Sequence, residues 1–209
     1  MLAPCDTHLN IYITSYKERA KLSPDKKAVA VMIDVTGASG GYPYTVIYDT
    51  TTLKPMKYYK HYKFPEWHPD GRLLLSGEDK GLYITNRSFS SLTKIGDQLN
   101  SYIKNPDISP SGKKIVFEMN KDIWIMDIDG SNLNPLIEDQ EILYFPTWSP
   151  NGKYVAYLSA ASTVETLKKI TFFNLKTKVK HILDAKNFFL PNEYGSVTDL
   201  LYGPLSWVK

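Results

Sequence analysis

The residues most able to do chemistry are few, and each must be weighed against the local structure its neighbours imply. Gly37-Ala38-Ser39-Gly40-Gly41 fits the Gly-x-Ser-x-Gly pattern of a nucleophile elbow. That elbow needs a strand before it and a helix after it, so that the serine stands on a sharp turn. Here Pro43 and the β-rich stretch Tyr44–Tyr48 follow instead, which predicts a hairpin loop. No Gly-Lys-Ser/Thr ending is present for a phosphate loop. Asp127-Ile128-Asp129-Gly130-Ser131-Asn132 offers alternating oxygen ligands, but the rest of a calcium loop, including its closing bidentate glutamate, is absent, and Asp-Gly suits a hairpin turn. His8, His61, His68 and His181 lack metal-ligand spacing and cysteine partners, and no carboxylate pair recurs at one site. The sequence therefore predicts a non-catalytic chain with no metal and no cofactor.

Lys54-Pro55-Met56-Lys57-Tyr58-Tyr59-Lys60-His61-Tyr62-Lys63 mixes bases with aromatics, a combination that can stack nucleobases and neutralise phosphates. Lysines on an exposed edge strand also discourage pairing with another chain, and Lys176, Lys178 and Lys180 recur in a similar place. A net charge of +3 with a pI near 8.7 is too mild to favour nucleic acid, so none is expected as a partner.

The elements that would carry these residues repeat. Tyr144-Phe145-Pro146-Thr147-Trp148-Ser149-Pro150-Asn151-Gly152-Lys153, followed by Tyr154–Tyr157, recurs as Phe64–Leu75, as Asn105–Phe117 and, worn, as Ala20–Ala30. The second prolines, Pro24, Pro69, Pro110 and Pro150, are 45, 41 and 40 residues apart, a period of stacked supersecondary units. In each copy a short strand meets Pro-Asp/Asn/Ser-Gly, a tight turn with proline fixing φ and glycine supplying positive φ, and a hydrophobic strand follows. Lys26 replaces the glycine in the first copy and must loosen the turn or take a left-handed backbone. Four strands, a to d, fit each period, and strands such as Val29–Ile33 and Ile123–Met126 are apolar on consecutive residues, so both their faces must be covered. Sheets stacked face to face around an axis do this. The expected fold is all-β, a β-propeller of about four recognisable four-stranded blades plus a partial fifth.

The 209 residues, 43% hydrophobic and 22% charged, are enough for one domain with a proper core. The longest apolar run, Ala28–Ile33, cannot span a bilayer, so no membrane span is expected. Cys5 is the single cysteine and excludes an internal disulfide. Its setting, Leu2-Ala3-Pro4-Cys5-Asp6, is a poor match to a lipoprotein signal, with no basic and apolar regions before it.

Trp148–Lys153, together with Asp122-Ile123-Trp124-Ile125-Met126-Asp127-Ile128-Asp129-Gly130-Ser131-Asn132-Leu133, resembles the repeat of TolB-type propellers from about Leu22 to Leu183. The resemblance implies a propeller, usually of six blades, and a periplasmic or extracellular setting. Related repeats serve periplasmic interaction proteins and the gating domains of prolyl oligopeptidase-like serine peptidases; carbohydrate-binding or lyase propellers form a third class. Residues 1–9 are expected to form a tail and 10–209 the propeller, with blades at about 17–61, 62–102, 103–143 and 144–185. A partial blade follows at 186–209, including Pro204–Trp207, and Asn10–Tyr16 is expected to pair with the C-terminal region. Otherwise an oligomer or missing blades would close the ring.

The connections b–c and d–a are the longer ones and open on one face, where a rigid scaffold usually carries binding. Tyr62, Tyr102, Tyr144 and Tyr202 each stand two to four residues before the first proline of a repeat. They are expected at the mouth of the central channel, offering contact area at little entropic cost. Glu66, Asp107 and Asp139 lie close enough in sequence to add acidic contacts. The partner expected there is a protein or peptide.

Overall fold

The computed structural model describes residues 12–13, 20–33, 35–36, 43–161 and 169–184. Ser39, Cys5, His8, Tyr202, the 162–168 stretch and the partial fifth blade lie outside them. Four four-stranded antiparallel sheets follow one another along the chain. The first blade is β2 (Ala20–Leu22), β3 (Ala28–Ile33), β5 (Tyr44–Asp49) and β6 (Pro55–Lys60); the second is β7 (Tyr62–Trp67), β8 (Leu73–Gly77), β9 (Leu82–Thr85) and β10 (Leu92–Ile95). The third is β11 (Lys104–Ile108), β12 (Lys114–Met119), β13 (Asp122–Asp127) and β14 (Asn134–Ile137). The fourth is β15 (Ile142–Trp148), β16 (Tyr154–Ala160), β17 (Lys169–Asn174) and β18 (Lys180–Asp184). No helix among the described residues is long and apolar enough to cross a membrane. The short strand β1 (Tyr12–Ile13), part of the expected closing strand, pairs antiparallel with β4 (Val35–Thr36); the C-terminal segment it was expected to meet lies outside the described residues.

The doubly apolar strands are explained by the stacking. Leu73 and Leu75 of β8 pack with Ala28, Ala30 and Ile47 of the first blade, while Leu74 between them packs with Ile108, Ile115 and Phe117 of the third. In β12, Ile115 and Phe117 face the second blade and Val116 faces Trp148, Val155 and Tyr157 of the fourth. All of these β8 and β12 side chains are fully buried. Truncating any one of them to alanine costs about 2–5 kcal/mol. The first strands of successive blades touch one another in the series β2, β7, β11, β15, which places them innermost. The outer strands instead run beneath the next blade's third-to-fourth turn: the Tyr59 hydroxyl donates to the Phe89 carbonyl at 2.9 Å, and Leu136 and Leu175 pack on one cluster.

The turn after each first strand is built by its serine. The amides of Ala28, Lys114 and Tyr154 donate to Ser23, Ser109 and Ser149 Oγ at 2.9–3.0 Å. Lys26 has φ +62°, the left-handed conformation that Gly71, Gly112 and Gly152 adopt in the later copies, so the first turn keeps its geometry with a non-glycine residue in it. The second blade departs from this chemistry. His68 stands where the serine would, and the Leu73 amide donates to Thr85 Oγ1 instead, at 2.9 Å. The freed imidazole reaches out of its blade to the Gly112 carbonyl, with Nε2 at 2.9 Å, while its Nδ1 lies 2.7 Å from Asp70 Oδ1. The turn role expected for His68 is thus joined to an inter-blade clamp.

The first strands share another irregularity. Phe64, Asn105 and Phe145, each followed by proline, have φ of +51°, +48° and +52°, and the register slips at each of them. A left-handed residue before a proline that cannot donate to the ladder forms a bulge, which kinks the strand and turns its amide outward. The Phe145 amide donates to Glu118 Oε1 of the preceding blade at 2.6 Å, and the Phe64 amide to Met32 Sδ at 3.4 Å.

Candidate interaction face

The innermost strands also present one matching position beside their turns. Two residues before each turn serine or histidine stand Lys21, Glu66, Asp107 and Thr147, one from each innermost strand. Lys21 Nζ forms an ion pair with Glu66, and the Trp67 indole donates to the Lys21 carbonyl at 2.7 Å. The Trp148 amide donates to Asp107 Oδ2 at 2.6 Å. Burial pushes the Asp107 carboxyl up, against the opposing pull of the Lys21 charge, the Trp148 amide and the Thr147 hydroxyl. Glu66 and Asp107, two of the acids expected to add partner contacts, are both engaged by their own neighbours and both lie within reach of the Lys21 charge. Asp139 is elsewhere, held by Lys180 of the outermost strand β18 at 3.1 Å.

The tyrosines divide. Tyr102, in the connection before β11, is 60% exposed, with Lys80 Nζ 5.6 Å from its ring centroid. Tyr62 is half-buried, edge-on to Tyr59 at 6.2 Å and to Tyr83 at 5.1 Å between centroids. The Tyr83 hydroxyl donates to Asp79, and Lys94 Nζ lies 3.6 Å from the same carboxylate. Burial first, then the Asp79 hydrogen bond and charge, raise the Tyr83 phenol far above its ordinary value. Tyr144 is half-buried, 6.3 Å from Phe145 and tilted to it, and burial with the nearby Glu118 charge raises its phenol. The structure thus groups Tyr62, Tyr83, Asp79, Lys80 and Tyr102 at the connections of the second and third blades, with Tyr144 apart from them. Asp79, Lys80 and Tyr83 were missed because they sit in a four-residue b–c connection and the start of its strand, not at the repeated pre-proline position. Lys21 was also missed, although aligning the repeats on their turn serines would have put it in the column of Glu66, Asp107 and Thr147.

Among the described residues no three histidine, cysteine or carboxylate side chains gather in a metal-holding group. His61 faces Glu78, Nδ1 to Oε2 at 2.7 Å, and Lys63 approaches the other oxygen at 3.7 Å.

With this geometry the chain can be set beside known proteins. It is 35% identical over 93 residues to the Tol-Pal system protein TolB of Anaeromyxobacter dehalogenans, an overlap of 40% of this chain and 21% of that protein. Its superposition on TolB from Acinetobacter baumannii gives a TM-score of 0.63 at 18% identity, covering 79% of this chain and 43% of the other. The repeats are those of a TolB-like β-propeller. A tricorn protease homolog of Saccharolobus solfataricus is 30% identical over 130 residues, covering 60% of this chain and 10% of that protein. The acylaminoacyl peptidase of Pyrococcus horikoshii has a TM-score of 0.57 at 11% identity, with 80% of this chain and 32% of that one covered. An oligogalacturonate lyase in complex with manganese has a TM-score of 0.55 at 15% identity, with 78% and 52% covered. No family model matches the sequence. The chain spans about a fifth and a tenth of the length of the two curated relatives.

Proposed function

We propose that this propeller is a non-catalytic interaction module, periplasmic or extracellular, that binds a protein or peptide at the face carrying its longer connections. The observation that supports it is Tyr102, a large exposed ring capped by Lys80 and continuous with Asp79, Tyr83 and Tyr62. Aromatic surface with charge at its rim is the composition of interface anchors. The resemblance to the Tol-Pal system protein TolB supports the same reading.

A photo-crosslinking residue at position 102 should capture a defined partner, whereas the same residue at position 176, in the β17–β18 turn, should not. Tyr102→Ala combined with Lys80→Ala should then weaken that partner's binding by about 1–3 kcal/mol with no loss of thermal stability. Equal capture at both positions rejects the reading. The second reading, a propeller that gates access to a peptidase domain, is favoured by the longer overlap with the tricorn protease homolog. Under it, the double variant would leave binding of the position-102 partner intact.

A further inference from the structure

Three of the seven exposed large hydrophobic side chains among the described residues, Leu53, Met56 and Tyr58, fall on one hairpin, the β5–β6 unit of the first blade. β6 is the outer edge of its sheet, so one row of its backbone groups lacks a strand partner. Between β6 and the β9–β10 turn of the second blade lies an open cleft of about 250 Å³. Lys57, Tyr58, Lys60 and Tyr62 line one side and Ser90 and Ser91 the other, and no carboxylate lines it. The equivalent cleft between the second and third blades differs: Asp129 lines it opposite Arg72 and Lys94. The basic character is thus a property of this cleft and not of the architecture. Its inner wall is fixed by the Tyr59 hydroxyl bound to the Phe89 carbonyl, and Lys57 Nζ stands 5.8 Å from the Tyr59 ring centroid.

We propose that this edge is a second binding site, distinct from the face around Tyr102, and that it takes an extended acidic segment of a partner protein by strand addition to β6. The backbone of the segment continues the β2-β3-β5-β6 sheet. Alternation then sends every second side chain into the cleft, where a carboxylate meets Lys57 and the hydroxyls of Ser90 and Ser91. The intervening side chains lie over Met56 and Tyr58, which burial alternation along β6 puts on the exposed side, and those positions suit aliphatic residues. The charge complementarity selects a carboxylate-rich strand over a basic one, and the open, elongated form suits a chain segment better than a compact ligand.

The test uses the full chain and a fluorescein-labelled hexapeptide of alternating valine and glutamate, read by fluorescence anisotropy. The expected result is saturable binding that weakens with salt and falls by about tenfold or more in Lys57→Glu. Lys57→Gln, which removes charge without reversing it, should show a smaller loss in the same direction, and Lys176→Glu none. A peptide with proline at its third position should bind poorly, because proline interrupts strand pairing. The proposal is overturned if a matching valine–lysine peptide binds as well, if Lys57→Glu changes nothing while melting as the parent does, or if the proline peptide is equivalent. It is also overturned if a single-stranded oligothymidylate binds and the acidic peptide does not. Tyr102→Ala should leave peptide binding unchanged, which separates this site from the other.

Discussion

His68 Nε2 lies 2.9 Å from the carbonyl oxygen of Gly112, a residue 44 positions later in the turn of the next blade. A Cβ built on Gly112 would stand 2.7 Å from the same nitrogen, and Gly112 has φ +72°. The glycine is therefore constrained twice, by its backbone and by its neighbour's ring. Gly112→Ala is expected to destabilise by about 1–3 kcal/mol. His68→Ser should cost about 1 kcal/mol, because the Leu73 amide is already satisfied by Thr85 and what is lost is the clamp. In the double variant the clash disappears, so urea denaturation should show a cost below the sum of the two single changes. Strict additivity would mean that the ring does not constrain the glycine.

Glu118 is a buried carboxylate shared by two blades, accepting from Asn105 Nδ2 and from the Phe145 amide. Glu118→Ala strands both donors and is expected to cost about 2–4 kcal/mol, seen as a lower urea midpoint. Glu118→Gln keeps one acceptor oxygen and should cost clearly less. Equal losses would show that packing, not acceptance, is what the residue supplies.

The axial carboxylate and the turn carboxylates respond to acid in opposite senses. Partial burial pushes Asp70 up, but the Arg72 amide and the His68 and Arg72 charges outweigh it and leave the group below its ordinary value. The Tyr83 hydroxyl, helped by Lys94, likewise holds Asp79 low. Groups depressed on folding contribute stability above their unfolded pKa of about 4, and that contribution is lost as pH falls through the folded value. Asp107 is raised, so its ionisation opposes folding as pH climbs from about 4 through its folded value. Asp107→Asn removes that opposition while leaving an oxygen for the Trp148 amide. Relative to the parent, the variant should be more favourable at pH 7 than at pH 3; chemical denaturation at the two values showing the reverse order would refute this.

The ion pair of Lys21 with Glu66 is asymmetric, the glutamate side chain being 13% exposed and the lysine 31%. Lys21→Ala leaves a largely buried carboxylate without this partner and is expected to cost about 3 kcal/mol. Glu66→Gln leaves the more accessible charge and should cost less than half as much. Thermal melts ranking the two the other way would place the burial on the lysine side.

The strand programme and its turns were legible because they repeat: proline, turn residue and glycine at fixed offsets, and runs such as Leu73-Leu74-Leu75 that only two covered faces explain. Lys26 in a left-handed conformation was legible for the same reason, as a position and not as a residue. The site was less so. Glu66 and Asp107 were legible only as acids close in sequence to the tyrosines; the side-chain directions that hand one to Lys21 and the other to the Trp148 amide follow a bulge at Phe64 and Asn105. A non-glycine residue with positive φ before proline is disfavoured locally and is imposed by stacking. Asp139 has Lys180 as partner, 41 residues away on an outer strand: the separation is one repeat, but nothing in the local motif around either residue marks the pair.

Among the described residues, bonds between blades run from one blade to its immediate neighbour: Phe64 to Met32, Trp67 to Lys21, His68 to Gly112, Phe145 to Glu118, Trp148 to Asp107. Mechanically, such an array is a row of couplings in series, and a load applied across it is borne by one seam at a time. Stretched between handles on the first and fourth blades, the chain should yield in successive ruptures, each releasing about 14 nm of contour for a repeat of roughly 41 residues. The seam closed by Glu118 and Asp107, each bound to a backbone amide of the fourth blade, should be the last to part.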